Sequence, residues 1–119
     1  MENRAAHKLI DKILNDLDKT GINTDTLIND IKELRTYALE EQIPLVVKVL
    51  RLTYEHIEAN DSFLIPMLVD EDDEEEAGVE VETENEPVES LKYLIALIKN
   101  LNNKINISDL KEYRDLLNQ

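Results

Sequence analysis

The chain has 119 residues, of which 42% are hydrophobic and 34% charged, and its formal net charge is −14. This length suits one domain that buries roughly two-thirds of its unfolded surface. The chain contains no cysteine, which excludes disulfides, thiolate metal sites and a cysteine nucleophile. Two glycines and three prolines are too few for a fold of many short strands, so the composition favours helices.

The charge also limits the classes of partner that we expect. Nucleic acids and anionic membranes are disfavoured, because affinity for both depends on Lys and Arg. A basic protein surface is favoured instead. No apolar run follows the positive charges near the N-terminus, so we expect no secretory signal. The apolar run at residues 62–69 is far shorter than the ~20 residues that span a bilayer. We therefore predict a soluble, cytoplasmic protein.

The first predicted helix covers about residues 3–19, where apolar residues recur at steps of three and four. This stripe consists of Ala6, Leu9, Ile10, Ile13, Leu14 and Leu17. Gly21 is expected to end the helix in a left-handed conformation, with Ile22 folding back onto the last turn.

A second predicted helix follows after a short turn, which makes it an antiparallel neighbour of the first. Thr24 is its expected N-cap, and Asp25 complements the positive end of the helix dipole. Its apolar stripe consists of Leu27, Ile28, Ile31, Leu34, Ala38 and Leu39. The pattern fades at residues 40–42, before Pro44.

The third predicted helix, about residues 44–59, is apolar around most of its circumference. Pro44 suits its first turn. Its charged residues, Lys48, Arg51, Glu55 and Glu58, form one narrow stripe, and the remaining arc holds Leu45, Val46, Val47, Val49, Leu50, Leu52, Tyr54 and Ile57. Such a helix lies at the centre of a bundle or in an oligomer interface. We therefore consider Val49, Leu50 and Tyr54 to be candidate partner-binding residues.

Three elements complete the predicted fold. Residues 62–69, interrupted by Pro66, are expected to be a structured but irregular segment that covers one end of the core. A fourth helix begins near Pro87, with Leu91, Leu94, Ile95, Ile98 and Leu101 on one face. A short fifth helix is predicted from about Ser108, which caps it, and carries Leu110, Tyr113 and Leu117.

Residues 70–86 contain 11 of the 27 acidic residues and no basic residue. So many like charges cannot enter an apolar interior without a large desolvation cost, so we expect a flexible loop. The densest part is Asp70, Glu71, Asp72, Asp73, Glu74, Glu75 and Glu76. It admits three interpretations: a solvated linker, a docking segment for a basic partner or phosphate-backbone mimic, and a weak divalent-cation site. The spacing of a calcium loop is missing.

Catalytic chemistry finds little support in the sequence. His7 and Asp11 lie four residues apart on the first helix, but Arg4 on the same face opposes a cation, so we interpret them as a surface ion pair. His56 is interpreted as an edge-of-core or capping histidine. No glycine-flanked serine or glycine-rich phosphate loop occurs. We predict no enzyme activity and no cofactor.

The sequence therefore predicts an all-α protein: a small helical bundle of four main helices plus a short C-terminal helix. It forms a single domain, with a three-helix part at 1–69, the acidic loop at 70–86 and a helical hairpin at 87–119. The third helix is expected at its centre. The predicted function is non-catalytic protein–protein interaction or regulation, through the apolar arc of the third helix and the acidic loop, with a protein partner or by self-association. The alternatives are an acidic inhibitor or immunity-type protein, or nucleic-acid mimic, that binds a basic partner, and a weak divalent-metal-binding protein.

Overall fold

The computed structural model of the chain describes residues 1–66 and 86–118. This part contains five α-helices: α1 at Arg4–Thr20, α2 at Thr24–Glu40, α3 at Pro44–Asn60, α4 at Glu86–Lys99 and α5 at Lys104–Leu117. It contains no β-strand. The all-α prediction is confirmed, and each of the five predicted helices is present.

The ends of α1 follow from polar and glycine residues at its two boundaries. The Asn3 side chain caps α1 by accepting hydrogen bonds from the backbone N–H groups of Ala5 (2.7 Å) and Ala6 (3.1 Å). Gly21 ends the helix with a positive φ of 72°, and its N–H donates to the carbonyl of Leu17. Its φ is positive as expected, but its ψ of −152° lies outside the predicted left-handed helical conformation; a residue without Cβ adopts this backbone without strain.

The predicted cap of α2 was wrong. Asn23, and not Thr24, occupies the N-cap position, and no side chain caps this end. Thr24 is already helical, because Asn23 takes the extended backbone (φ −100°, ψ 101°) that precedes a helix. Asp25 lies in the first turn as expected.

The turn between α2 and α3 has the geometry of a Schellman motif. The N–H of Ile43 donates to the carbonyl of Ala38, and the N–H of Gln42 donates to the carbonyl of Leu39. Gln42 has a φ of 57°, a left-handed conformation that glycine adopts more readily. Pro44 then begins α3 at its first position, where the missing N–H would have no helical partner.

The fifth helix begins four residues earlier than predicted. Asn103, and not Ser108, is its N-cap, and the Asn103 side chain accepts a hydrogen bond from the N–H of Ile105 at 2.8 Å. Ser108 lies inside the helix as a result. Two candidate caps five residues apart compete in this sequence, and the earlier one allows a longer helix with more backbone hydrogen bonds.

Among the described residues, the helix pairs with extensive contacts are α1–α2, α2–α3, α3–α5, α5–α4 and α4–α1. Each helix therefore has two principal neighbours, and the contacts close into a ring. α3 packs mainly against α2 and α5, and its expected place at the centre of the bundle stays a prediction. Buried side chains from all five helices form one hydrophobic core cluster.

Exposed ion pairs connect neighbouring helices around this core. Lys12 of α1 pairs with Asp30 of α2 at 2.6 Å, and Lys99 of α4 pairs with Asp11 of α1 at 2.7 Å. Hydrogen bonds from the Lys12 ammonium group to the carboxylates of Asp30 and Asp16 raise the pKa of Lys12, and the bond to Asp30 has the larger effect. Exposed pairs of this kind contribute about 0–1 kcal/mol each, so the aliphatic core dominates stability. None of the helices in the described residues has the length and apolar character required to cross a membrane.

Candidate functional site

The structure separates the candidate residues of the third helix into two groups. Val49 and Leu50 are fully buried within the core of the chain itself. Tyr54 is half-buried, and the Lys32 ammonium group lies 5.1 Å from the centre of its ring. Because α2 and α5 pack against α3, the apolar arc is largely used inside the molecule. A partner could reach Val49 or Leu50 only if helices separated.

The acidic candidates lie outside the described residues, from Asp70 to Glu76. Their role in docking or in metal binding therefore stays a prediction. Within residues 1–66 and 86–118, no three His, Asp or Glu side chains come together in a group that could hold a metal ion.

His7 and Asp11 bind different groups. The Nε2–H of His7 donates to the carbonyl oxygen of Met1. The carboxylate of Asp11 accepts a hydrogen bond from the Lys99 ammonium group. The predicted ion pair between these two neighbours on α1 is therefore replaced by a contact within the N-terminal segment and a contact with α4.

His56 joins the end of α3 to the irregular segment that follows. Its Nε2 accepts a hydrogen bond from the backbone N–H of Leu64 at 3.0 Å, and its ring meets the Phe63 ring edge-on at 5.7 Å. Burial lowers the pKa of His56 below its usual 6.5. A histidine at a helix C-terminus is often a cation, but here burial and an accepted hydrogen bond both favour the neutral ring. The interpretation as an edge-of-core residue agrees with these contacts.

The structure also contains a surface groove that the sequence reasoning missed. It lies at the junction of α2 and α3 and has a volume of about 400 Å³. Its apolar lining comes from Leu39, Ile43, Pro44 and Val47, and its polar lining from Arg35, Gln42, Lys48 and Arg51. Leu39 is 50% exposed here, although its position in the apolar stripe predicted a core residue. We call this feature the α2–α3 groove.

Helix geometry explains why Leu39 is outside the core. Successive residues of a helix are about 100° apart, so Leu39 lies about 100° around the helix axis from Ala38. Ala38 is fully buried, and Ile31 and Leu34 lie on the same line. Leu39 therefore points roughly sideways from this line, toward the start of α3.

Positive charge surrounds the groove. Arg35, Lys48 and Arg51 line it, and no acidic side chain does. Arg35 is oriented by a hydrogen bond of 3.2 Å from its Nε to the carbonyl oxygen of Val47. Within the described residues none of the three bases takes part in an ion pair, in contrast to Lys12.

One signal in the sequence could have indicated the groove. The charged stripe of α3 changes sign along its length: Lys48 and Arg51 come first, and Glu55 and Glu58 follow. Acidic residues favour the beginning of a helix and basic residues its end, so helix stability does not explain this order. The sequence alone could not show that Leu39 and Arg35, which belong to α2, lie beside Lys48 and Arg51.

Comparison with known proteins identifies no relative: no family model, no curated protein and no solved structure matches the chain.

Proposed function

We propose that the chain is a non-catalytic module that binds another protein. The observation that carries this proposal is the α2–α3 groove, in which the half-exposed Leu39 lies beside bases that have no acidic partner in the described residues. Single exposed leucines are common on protein surfaces. Leu39 is different because it is exposed within a groove whose rim is polar and basic, and exposed apolar surface rimmed by polar residues is typical of interaction sites.

The contacts of the histidines and serines support a non-catalytic role. His7 and His56 are both bonded to backbone groups. Ser90 is buried, and its hydroxyl lies 3.0 Å from the hydroxyl of Tyr113, in the contact between α4 and α5. Ser108 lies within α5. None of these side chains lines the groove.

Affinity capture from the cells that make the protein tests this proposal. The tagged protein would be isolated at about 0.1 M salt, where charge interactions still act over about 10 Å, and its companions identified by mass spectrometry. Leu39→Gln should reduce capture of a true partner. Leu64→Gln is the matched control, because Leu64 is also exposed (59%) but does not line the groove. Failure to enrich any protein above a tag-only control would reject the proposal.

A second candidate function rests on the segregation of acidic charge in residues 70–86. In that case the chain inhibits or sequesters a basic protein by means of this segment. Replacing its acids by Asn and Gln should abolish capture of the basic partner, and capture by the unchanged protein should decline steeply with salt. Equal capture by the neutralised variant would reject this candidate.

A further inference from the structure

The α2–α3 groove differs in charge from the chain that forms it. The whole chain has 27 acidic and 13 basic residues. The groove is lined by three bases and no acid, around an apolar floor. A ligand that fits both properties has carboxylates at its edges and an apolar side chain between them.

We propose that the α2–α3 groove binds an acidic peptide segment of a partner protein. An apolar side chain of that segment packs against Leu39 and Val47, and neighbouring carboxylates pair with Arg35, Lys48 and Arg51. This inference rests on the proposed function and names the chemistry of the partner.

The arrangement of Arg35 favours a carboxylate ligand. A guanidinium group presents parallel N–H donors that match the two oxygens of a carboxylate. The Nε of Arg35 donates to the Val47 carbonyl oxygen, which fixes the group at the junction of the two helices. Its terminal nitrogens donate no hydrogen bond to a described residue and are available to a ligand.

The other two bases indicate more than one carboxylate. Lys48 and Arg51 are three residues apart on α3 and are both exposed. Arg51 and Glu55 are four residues apart, the spacing of an intrahelical ion pair, yet they do not pair. Glu58, in contrast, pairs with Lys32 across the α2–α3 contact at 3.6 Å. Three positive groups would outnumber the charge of a single carboxylate, so a peptide with several acids is the better match.

A nucleic acid fits the groove less well. Single-stranded nucleic acids bind through bases stacked on aromatic rings, and no aromatic residue lines the groove. A phosphate backbone also has no apolar side chain to cover Leu39. The net charge of −14 repels a nucleic acid and an acidic peptide alike. At 0.15 M salt this repulsion is screened beyond about 8 Å, so the charges that line the groove determine which of the two binds there.

Fluorescence anisotropy with a defined peptide tests the inference. The probe is a labelled synthetic peptide in which leucine and phenylalanine stand between pairs of glutamates, and its control has glutamine at each glutamate. We expect saturable binding of the glutamate peptide, and binding of the glutamine version weaker by about tenfold or more. The double variant Lys48→Gln/Arg51→Gln should weaken binding by about tenfold, since two charge-assisted contacts are lost.

The control variant Lys8→Gln/Lys111→Gln removes the same charge from exposed lysines that do not line the groove. It should bind the glutamate peptide as the unchanged protein does. Far-UV circular dichroism would verify that both double variants fold, as expected for exposed residues that form no ion pair with residues 1–66 or 86–118.

Three results would overturn the inference: no binding of the glutamate peptide, an equal loss in the control variant, or displacement of the peptide by a single-stranded oligonucleotide at the same concentration. The affinity capture described above separates the two proposals. A partner captured equally by the Lys48→Gln/Arg51→Gln variant would reject the groove and leave the interaction function intact. If no partner is captured, the function is rejected, and the peptide titration still decides what the groove binds.

Discussion

Replacing Phe63 by alanine tests whether the segment after α3 completes the core. Phe63 lies outside any helix, yet its side chain is fully buried. Its ring lies 5.7 Å from the ring of His56 and 6.2 Å from that of Tyr113, so it connects α3 with α5. No other phenylalanine occurs in the chain, and the surrounding core is mostly aliphatic. Truncation would therefore leave a cavity that few side chains can fill.

The expected loss is large relative to the stability of a small domain. A buried Phe→Ala substitution lowers the free energy of unfolding by about 3–5 kcal/mol. We expect a value near the lower end, about 3 kcal/mol, because Phe63 lies in an irregular segment that can relax toward the cavity. A domain of this size has a total stability of about 5–15 kcal/mol, so the variant should still fold.

Equilibrium urea unfolding, followed by far-UV circular dichroism, measures this loss. Leu64→Ala is the matched control, because Leu64 is the next residue and is 59% exposed. It should change the free energy of unfolding by no more than about 0.5 kcal/mol. The dependence on urea concentration should stay the same in both variants. A loss below about 1 kcal/mol for Phe63→Ala, or equal losses in the two variants, would refute the placement of Phe63 in the core.

Three further predictions concern Gln42 in the turn between α2 and α3, His56 at the end of α3, and the buried apolar arc of α3. Gln42→Gly should raise stability by about 1 kcal/mol and Tm by about 4 °C, because Gln42 has a left-handed backbone; Gln42→Ala should give no gain in a thermal melt. The stability due to neutral His56 is present above pH 6.5 and declines as pH falls through 6.5 toward the lowered pKa of the folded state. His56→Gln should remove this part of the pH dependence in urea titrations, and an unchanged profile would contradict the assignment. Val49→Asp should abolish the helical circular dichroism signal, because it places a charge in the core; a helical variant that merely loses self-association would instead support an exposed arc on α3.

Much of the secondary structure could be predicted, because helix formation depends on local spacing. The stripes of α1 and α4 recur at steps of three and four, and the structure buries nearly all of their residues. Gly21 and Pro44 stand where the helices end and begin. The errors occurred where two local signals competed, as at the caps of α2 and α5. Asn103 prevails over Ser108 because a longer α5 forms more backbone hydrogen bonds.

The candidate site was harder to predict, because burial depends on which helices pack together. The apolar arc of α3 predicted either a central helix or an interface, and only the structure shows that α2 and α5 cover Val49 and Leu50 within the chain. Leu39 shows the reverse: it belongs to an apolar stripe but remains half exposed. The periodicity of a stripe gives the direction of a side chain around its own helix axis. It does not state what lies in that direction.

The sequence by itself determined that the chain forms five helices, which faces of them are apolar, and where its acidic charge is concentrated, because these properties depend on residues near one another in the chain. Only the tertiary structure decided that the helices close into a ring and that the Schellman turn brings Leu39 and Arg35 of α2 beside Lys48 and Arg51 of α3. The physical reason is that a groove exists only between packed helices. Its charge and its apolar floor are contributed by residues that no local pattern connects.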